Sequence, residues 1–282
     1  MNIILLIGGN VVGTAAVIKG IRFLRKTGYA ICHIDKFSKE MGDVLREQLS
    51  SVCYGSSKAE SSRKAYTYRK TLKEFLERYE SKAPDTQMGM IGELLTHILV
   101  FKYFSEFNAV SPYFNLEERS IKKGFDVVLY SRGENELWIT EVKSGELHKN
   151  KNANETTASL LGTAKRDLQK RLNENEISLW ENAINGAKSV LEDKRDVKDA
   201  VIEILYNFED DVADENAIST NKNVILVASL FSCLSDEIKE LEVKKFSDKV
   251  IKTKTFRDVI VFTFQKETHQ RIVDFLKSEA AS

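Results

Sequence analysis

Cysteine and histidine are scarce. Cys32, Cys53 and Cys233 are odd in number and contain no C-x-x-C pair. They exclude a disulfide framework or a cysteine zinc site and read as reduced thiols of a cytosolic protein. The four histidines are too scattered to form a metal cluster. Net charge is also missing: 42 Lys and Arg balance 42 Asp and Glu. The whole molecule offers no attraction to a polyanion, which argues against a DNA-coating role but allows an enzyme that concentrates positive charge locally. No long apolar run is present. Asn10 interrupts the apolar start Ile3–Ile18, and Lys19 ends it before the roughly 18 residues of a membrane span. No basic stretch precedes it, as a signal peptide requires. Internal repeats and low-complexity blocks are absent as well. What is there, 42% hydrophobic and 30% charged residues over 282 positions, is an ordinary globular composition able to bury a substantial core.

The first 35 residues read as a βαβ-like unit. Ile3–Ile7 is expected as a strand, Gly8-Gly9 as a turn, Val11–Lys26 as a helix, and Tyr29–Ile34 as a strand ending at Asp35. An acid there suits a ribose, yet G-G-N-V-V-G lacks the middle glycine of a dinucleotide loop, so ordinary packing competes with cofactor binding. A charged helical stretch follows at about Ser62–Lys82, and Ala83-Pro84-Asp85 breaks it. Residues 1–83 are therefore taken as an N-terminal α/β region and 84–282 as a second domain. Within the latter, helices are expected at about Met88–Phe104, Thr156–Leu172 and Glu267–Lys277. Strands are expected at Gly124–Tyr130, Leu137–Val142, Val224–Phe231 and Val259–Phe264. An acidic helical insertion covers about 174–222. The fold class is α/β.

Chemistry concentrates in G-F-D-V-V-L-Y, a polar turn, and L-W-I-T-E-V-K. Strand alternation puts Glu141 and Lys143 on one face. A hairpin pivoting between Gly133 and Glu134 sets Tyr130 against Leu137, Val128 against Ile139, and Asp126 against Glu141. Two directly opposed carboxylates repel, and a hard cation between them removes the conflict. Mg²⁺ (or Mn²⁺) suits Asp126, Glu141 and the Val142 carbonyl, with Lys143 beside it and a metal-bound water as nucleophile. Glu93, in M-I-G-E-L-L, lies beside the apolar stripe of its helix, where it could complete the metal shell. His97, one turn on, leaves a Glu-His zinc pair conceivable. The helix after the E-V-K strand carries Lys165, Arg166, Lys170 and Arg171, a face for a DNA backbone or simply for solvent. Gln169 could also reach the site. On these residues the function expected is a metal-dependent nuclease.

The order of these motifs resembles the PD-(D/E)xK, restriction-endonuclease-like superfamily, whose core is helix, mixed central sheet, helix. I-G-E-L-L, K-G-F-D-V-V and L-W-I-T-E-V-K are similar to HamA, the nuclease family of the Hachiman anti-phage system, well over about Gln87–Leu172 and more loosely to Phe264. The resemblance implies Glu93, Asp126, Glu141 and Lys143 as catalytic positions. It also implies a superfamily-2 helicase partner (HamB-like), restraint in that complex, and release to degrade DNA on infection. A stand-alone restriction or repair nuclease, a silent helicase-docking scaffold and a nucleotide-binding regulator are the alternatives.

Overall fold

The computed structural model describes residues 18–114 and 124–282, together with the backbone of residues 5–7 and 10–12. Seven strands form one mixed sheet in the order β3-β4-β9-β8-β7-β6-β5. They are β3 (Ile21–Lys26), β4 (Tyr29–Ile34), β5 (Phe107–Ala109), β6 (Val127–Ser131), β7 (Glu136–Glu146), β8 (Asn223–Phe231) and β9 (Val259–Lys266). The four central strands, β4, β9, β8 and β7, run parallel; β3, β6 and β5 are antiparallel additions at the two edges. The residues of β8 are buried throughout, as expected of a parallel strand covered on both faces.

One face carries α1 (Lys39–Tyr54), α3 (Tyr68–Glu80), α4 (Pro84–Tyr103) and α9 (Gln270–Ala281), with the short α2 (Ser56–Ala59) following α1. The other carries α5 (Ala153–Leu172), α6 (Ile177–Val190), α7 (Arg195–Ala213) and α8 (Glu240–Lys252). The result is a three-layer α/β/α sandwich with a hydrophobic cluster on each side of the sheet. The helix α4 begins with Pro84 at its first turn, where a missing N–H costs nothing. Asn152 starts α5 by accepting from Glu155 N at 2.9 Å, while Glu155 accepts from Asn152 N at 2.9 Å, a reciprocal cap. The expected insertion is α6 and α7, placed between the parallel strands β7 and β8.

The N-terminal unit differs from the reading above. A short antiparallel pair joins β1 (Leu5–Ile7) to β2 (Asn10–Val12), and the turn expected at residues 8 and 9 lies outside the described residues. The helix expected over Val11–Lys26 is contradicted at both ends, because Asn10–Val12 and Ile21–Lys26 are strands. Alternation decides the second: Phe23 stacks on Tyr103 with ring centroids 4.4 Å apart, while Arg22 projects away. At the turn, Gly28 adopts φ +82°, which favours glycine, and returns the chain antiparallel as β4. Asp35, read as a ribose ligand, instead accepts two bonds of 2.8 Å from Arg22. That bidentate pairing, shared with Glu237, holds Asp35 below its ordinary carboxylate range. Both β3 and β4 belong to the main sheet, so sheet and core run across residue 83.

Candidate functional site

The β6–β7 hairpin has the expected register: Val128 opposes Ile139 and Tyr130 opposes Leu137. Asn135, at φ 55°, closes the turn, and its side-chain oxygen accepts from the Tyr130 hydroxyl at 2.7 Å. The ladder stops at Val127–Thr140, one step short of Asp126. There the Asp126 carboxylate accepts the Val142 N–H at 2.7 Å, in place of a backbone carbonyl. A residue in a ladder directs its N–H and C=O to the same neighbour. The Val142 carbonyl therefore leaves β7 on the Asp126 side, beyond the end of the ladder.

Glu141 is only 2% exposed. A buried carboxylate needs charge-assisted partners, and this one has two. Lys143 Nζ lies 2.8 Å from Oε1, and the Arg171 guanidinium pairs with Oε2. Lys143 also reaches Asp167 Oδ2 at 3.0 Å, and Arg171 donates to the Gly124 carbonyl at 2.9 Å. The four charges alternate for a geometric reason. Two residues along a strand advance about 6.6 Å, and four along a helix advance about 6 Å. The pair Glu141 and Lys143 on β7 thus matches Arg171 and Asp167 on α5, base facing acid twice. Arg171 also lies over the Phe125 ring, 5.8 Å from its centroid.

On the opposite face, α4 touches the sheet at Gly92. A β-carbon there would run into the Ser144 hydroxyl and stand 3.1 Å from Ser229 Oγ. Close approach at Gly92 sets the height of Glu93, which is half-buried. Tyr113 packs against this helix: its hydroxyl donates to the Met90 carbonyl at 3.0 Å. Burial pushes that hydroxyl well above its ordinary range, and the charges of Glu93 and Asp126 push it further. Glu93 and Asp126 thus act on one buried hydroxyl from two elements. His97 is buried with its ring edge-on to Tyr113 at 5.9 Å.

Among the described residues no three Asp, Glu, His or Cys side chains form a ready metal cluster, which leaves the zinc pair of Glu93 and His97 without a third ligand. Mg²⁺ and Mn²⁺ ask for less: one or two carboxylates, with waters and substrate oxygens completing the shell. Asp126, Glu141 and the Val142 carbonyl are hard oxygen donors of that kind, so the residues present fit the ion. Of the four bases expected along DNA, Arg166 is exposed and donates to Thr163 Oγ1 at 3.2 Å, Lys170 pairs with Glu174 at 3.5 Å, and Lys165 is partly exposed. Arg171 turns inward instead. Asp167 and Tyr113 were not read from the sequence as parts of this site. The signal for Asp167 and Arg171 was their four-residue spacing, in step with the two-residue spacing of Glu141 and Lys143.

No helix among the described residues is long and apolar enough to cross a membrane. No curated protein matches the chain. The family model described as HamA matches residues 19–280, nearly the whole length. The chain therefore belongs to the HamA family and is an anti-phage defence protein of the Hachiman system.

Proposed function

Taking membership of the HamA family as the premise, we propose that the chain is a metal-dependent nuclease hydrolysing DNA phosphodiester bonds, the effector subunit beside a helicase partner. The observation that carries this reading is the convergence at the mouth of the β6–β7 hairpin. Glu141 and Lys143 share one face, and Asp126 is held at the Val142 N–H between them. Asp126, Glu141 and the Val142 carbonyl would hold Mg²⁺ or Mn²⁺, with Glu93 the further acid nearby. The ion, when bound, supplies an activated water and offsets charge developing on the phosphate.

The protein's own groups do the rest. The Val142 N–H holds one Asp126 oxygen at the edge of β7. Burial holds Glu141 rigid and sharpens every charge around it. Lys143 has a partly exposed ammonium with three protons to donate. It can orient the attacking water and face the scissile phosphate. Lys165, Arg166 and Lys170 lie along the same helix, α5, where they can follow a nucleic-acid backbone. The test is degradation of DNA by the purified chain with Mg²⁺ or Mn²⁺, stopped by EDTA. Glu141→Ala and Lys143→Ala should each remove it while unfolding stays cooperative.

One observation favours a second reading, a silent scaffold that docks a partner. Both Glu141 oxygens are already paired within the protein, as in a purely structural network. Metal-independent behaviour of every variant, with no cleavage by the wild type, would support that reading.

A further inference from the structure

Glu141 carries one negative charge, yet two cations hold it. Lys143 is two residues away on the same strand face and is shared with Asp167, so the two bases and two acids balance as one network. Arg171 comes from the last turn of α5, thirty residues on, and takes the second oxygen as well as the Gly124 carbonyl just before Asp126. Its side chain is a quarter exposed. Arg171 therefore covers one oxygen of the carboxylate expected to hold a divalent ion, while part of its own side chain reaches the solvent from which a phosphate would arrive. A planar guanidinium pairs bidentately with carboxylate and phosphate alike. A second cation on one carboxylate adds repulsion to any divalent ion using that oxygen.

We propose that Arg171 is an exchangeable counter-ion of the site: it competes with a divalent cation for Glu141 and, once displaced, pairs with a backbone phosphate of the substrate. This rests on the metal-dependent reading above. It makes Arg171 different in kind from the exposed Arg166 and Lys170 and from the partly exposed Lys165, none of which pairs with Glu141 in the structure.

The experiment is calorimetric titration of the full chain with Mn²⁺, alongside DNA binding in Ca²⁺ to separate binding from cleavage. Arg171→Gln should bind Mn²⁺ about fivefold more tightly than wild type, while DNA binding weakens. Arg171→Lys, which keeps the charge but loses the fork, should fall between them and covers the case in which the Gln variant does not fold. Lys151 contacts Ser159, about 18 Å along α5 from Arg171, and Lys151→Gln controls for a general change of charge. Mn²⁺ affinity in both Arg171 variants equal to wild type or weaker would overturn the proposal, as would equal tightening in Lys151→Gln. If wild type binds Mn²⁺ and Asp126→Asn does not, such a result sinks the counter-ion alone. If wild type binds no Mn²⁺, the metal-dependent reading falls as well.

Discussion

Glu141 and Lys222 are each 2% exposed, and the molecule treats them differently. Glu141 sits mid-strand in β7 with two cations on it, and both have side chains about a quarter exposed. Lys222 sits just before β8, enclosed by the helical pair α6 and α7. Its ammonium meets Asp211 at 3.2 Å and Asn221 at 2.6 Å, and it lies 3.9 Å from the centroid of the Phe208 ring. The Trp180 ring, edge-on to Phe208, is 5.9 Å away. One charge is held between two bases from a strand and a helix; the other is packed against two aromatic rings and meets a single acid. A buried charge serves binding when its counter-ions open to solvent, and serves anchoring when its stem and head are packed.

The comparison breaks most visibly in activity. Glu141→Gln keeps the shape and removes the charge, and DNA cleavage should fall at least about a thousandfold, the order expected when several kcal/mol of metal stabilisation are lost. Cleavage by Glu141→Gln within about tenfold of wild type, measured as Mg²⁺-dependent turnover, would make Glu141 a structural charge like Lys222.

Stability gives the next contrast. Lys222→Met should leave the unfolding free energy unchanged or raised, because an apolar side chain of similar volume suits a wall of rings and exposed Asp211 can return to water. Lys222→Ala, which also removes the stem, should lose about 2 kcal/mol. Urea unfolding of both variants decides this, and a large loss in Lys222→Met would mean that the charge itself holds α6 and α7 to the sheet.

Gly92→Ala probes the other face of the site. Pressing a methyl group into Ser144 and Ser229 should cost about 1–3 kcal/mol. Cleavage should fall as well, since Glu93 rides on the displaced turn. A variant with unchanged melting and unchanged turnover would show that α4 tolerates a shift and that Glu93 needs no fixed height.

The smallest effect is in pH. Burial lowers the Lys222 pKa from its ordinary 10.5, and Asp211 only partly restores it. Below the lowered value the group is charged both folded and unfolded, and the folded state bears the desolvation penalty in full. Between the two values the unfolded chain binds more protons, so this residue's contribution to stability rises with pH. Wild-type stability should therefore rise relative to that of Lys222→Met as pH climbs towards 10.5. A gap constant from pH 7 to 10.5 would contradict the shift.

The hairpin register follows from the supposed pivot between Gly133 and Glu134; a slip of one residue would have exchanged the face of Val142 with that of Glu141 and Lys143. The strands β8 and β9 were legible as β-branched apolar runs, and α4 and α5 as apolar spacings of three and four. The strand β3 was misread because a six-residue stretch next to an apolar run satisfies helical and strand periods alike. What separates them is distant: Tyr103 under Phe23, and Asp35 and Glu237 beside Arg22. The pairing of Arg171 with Glu141 was not legible for the same reason. A base on the last turn of a helix looks solvated until the strand it faces is known, and Glu141 lies thirty residues earlier. The local pattern thus paired Glu141 with Lys143, while Arg171 and Asp167 joined them only through tertiary structure.

The central claim is that Asp126 and Glu141 share one divalent ion. Thermal melts of wild type and Asp126→Asn, each with and without Mn²⁺, test it most directly. Asparagine can still accept the Val142 N–H, so the two proteins should melt alike without metal. Mn²⁺ should raise the melting temperature of wild type, because an ion that binds only the folded state stabilises it, and should leave Asp126→Asn nearly unmoved. Equal Mn²⁺-induced shifts in the two proteins would show that the carboxylates hold no ion in common.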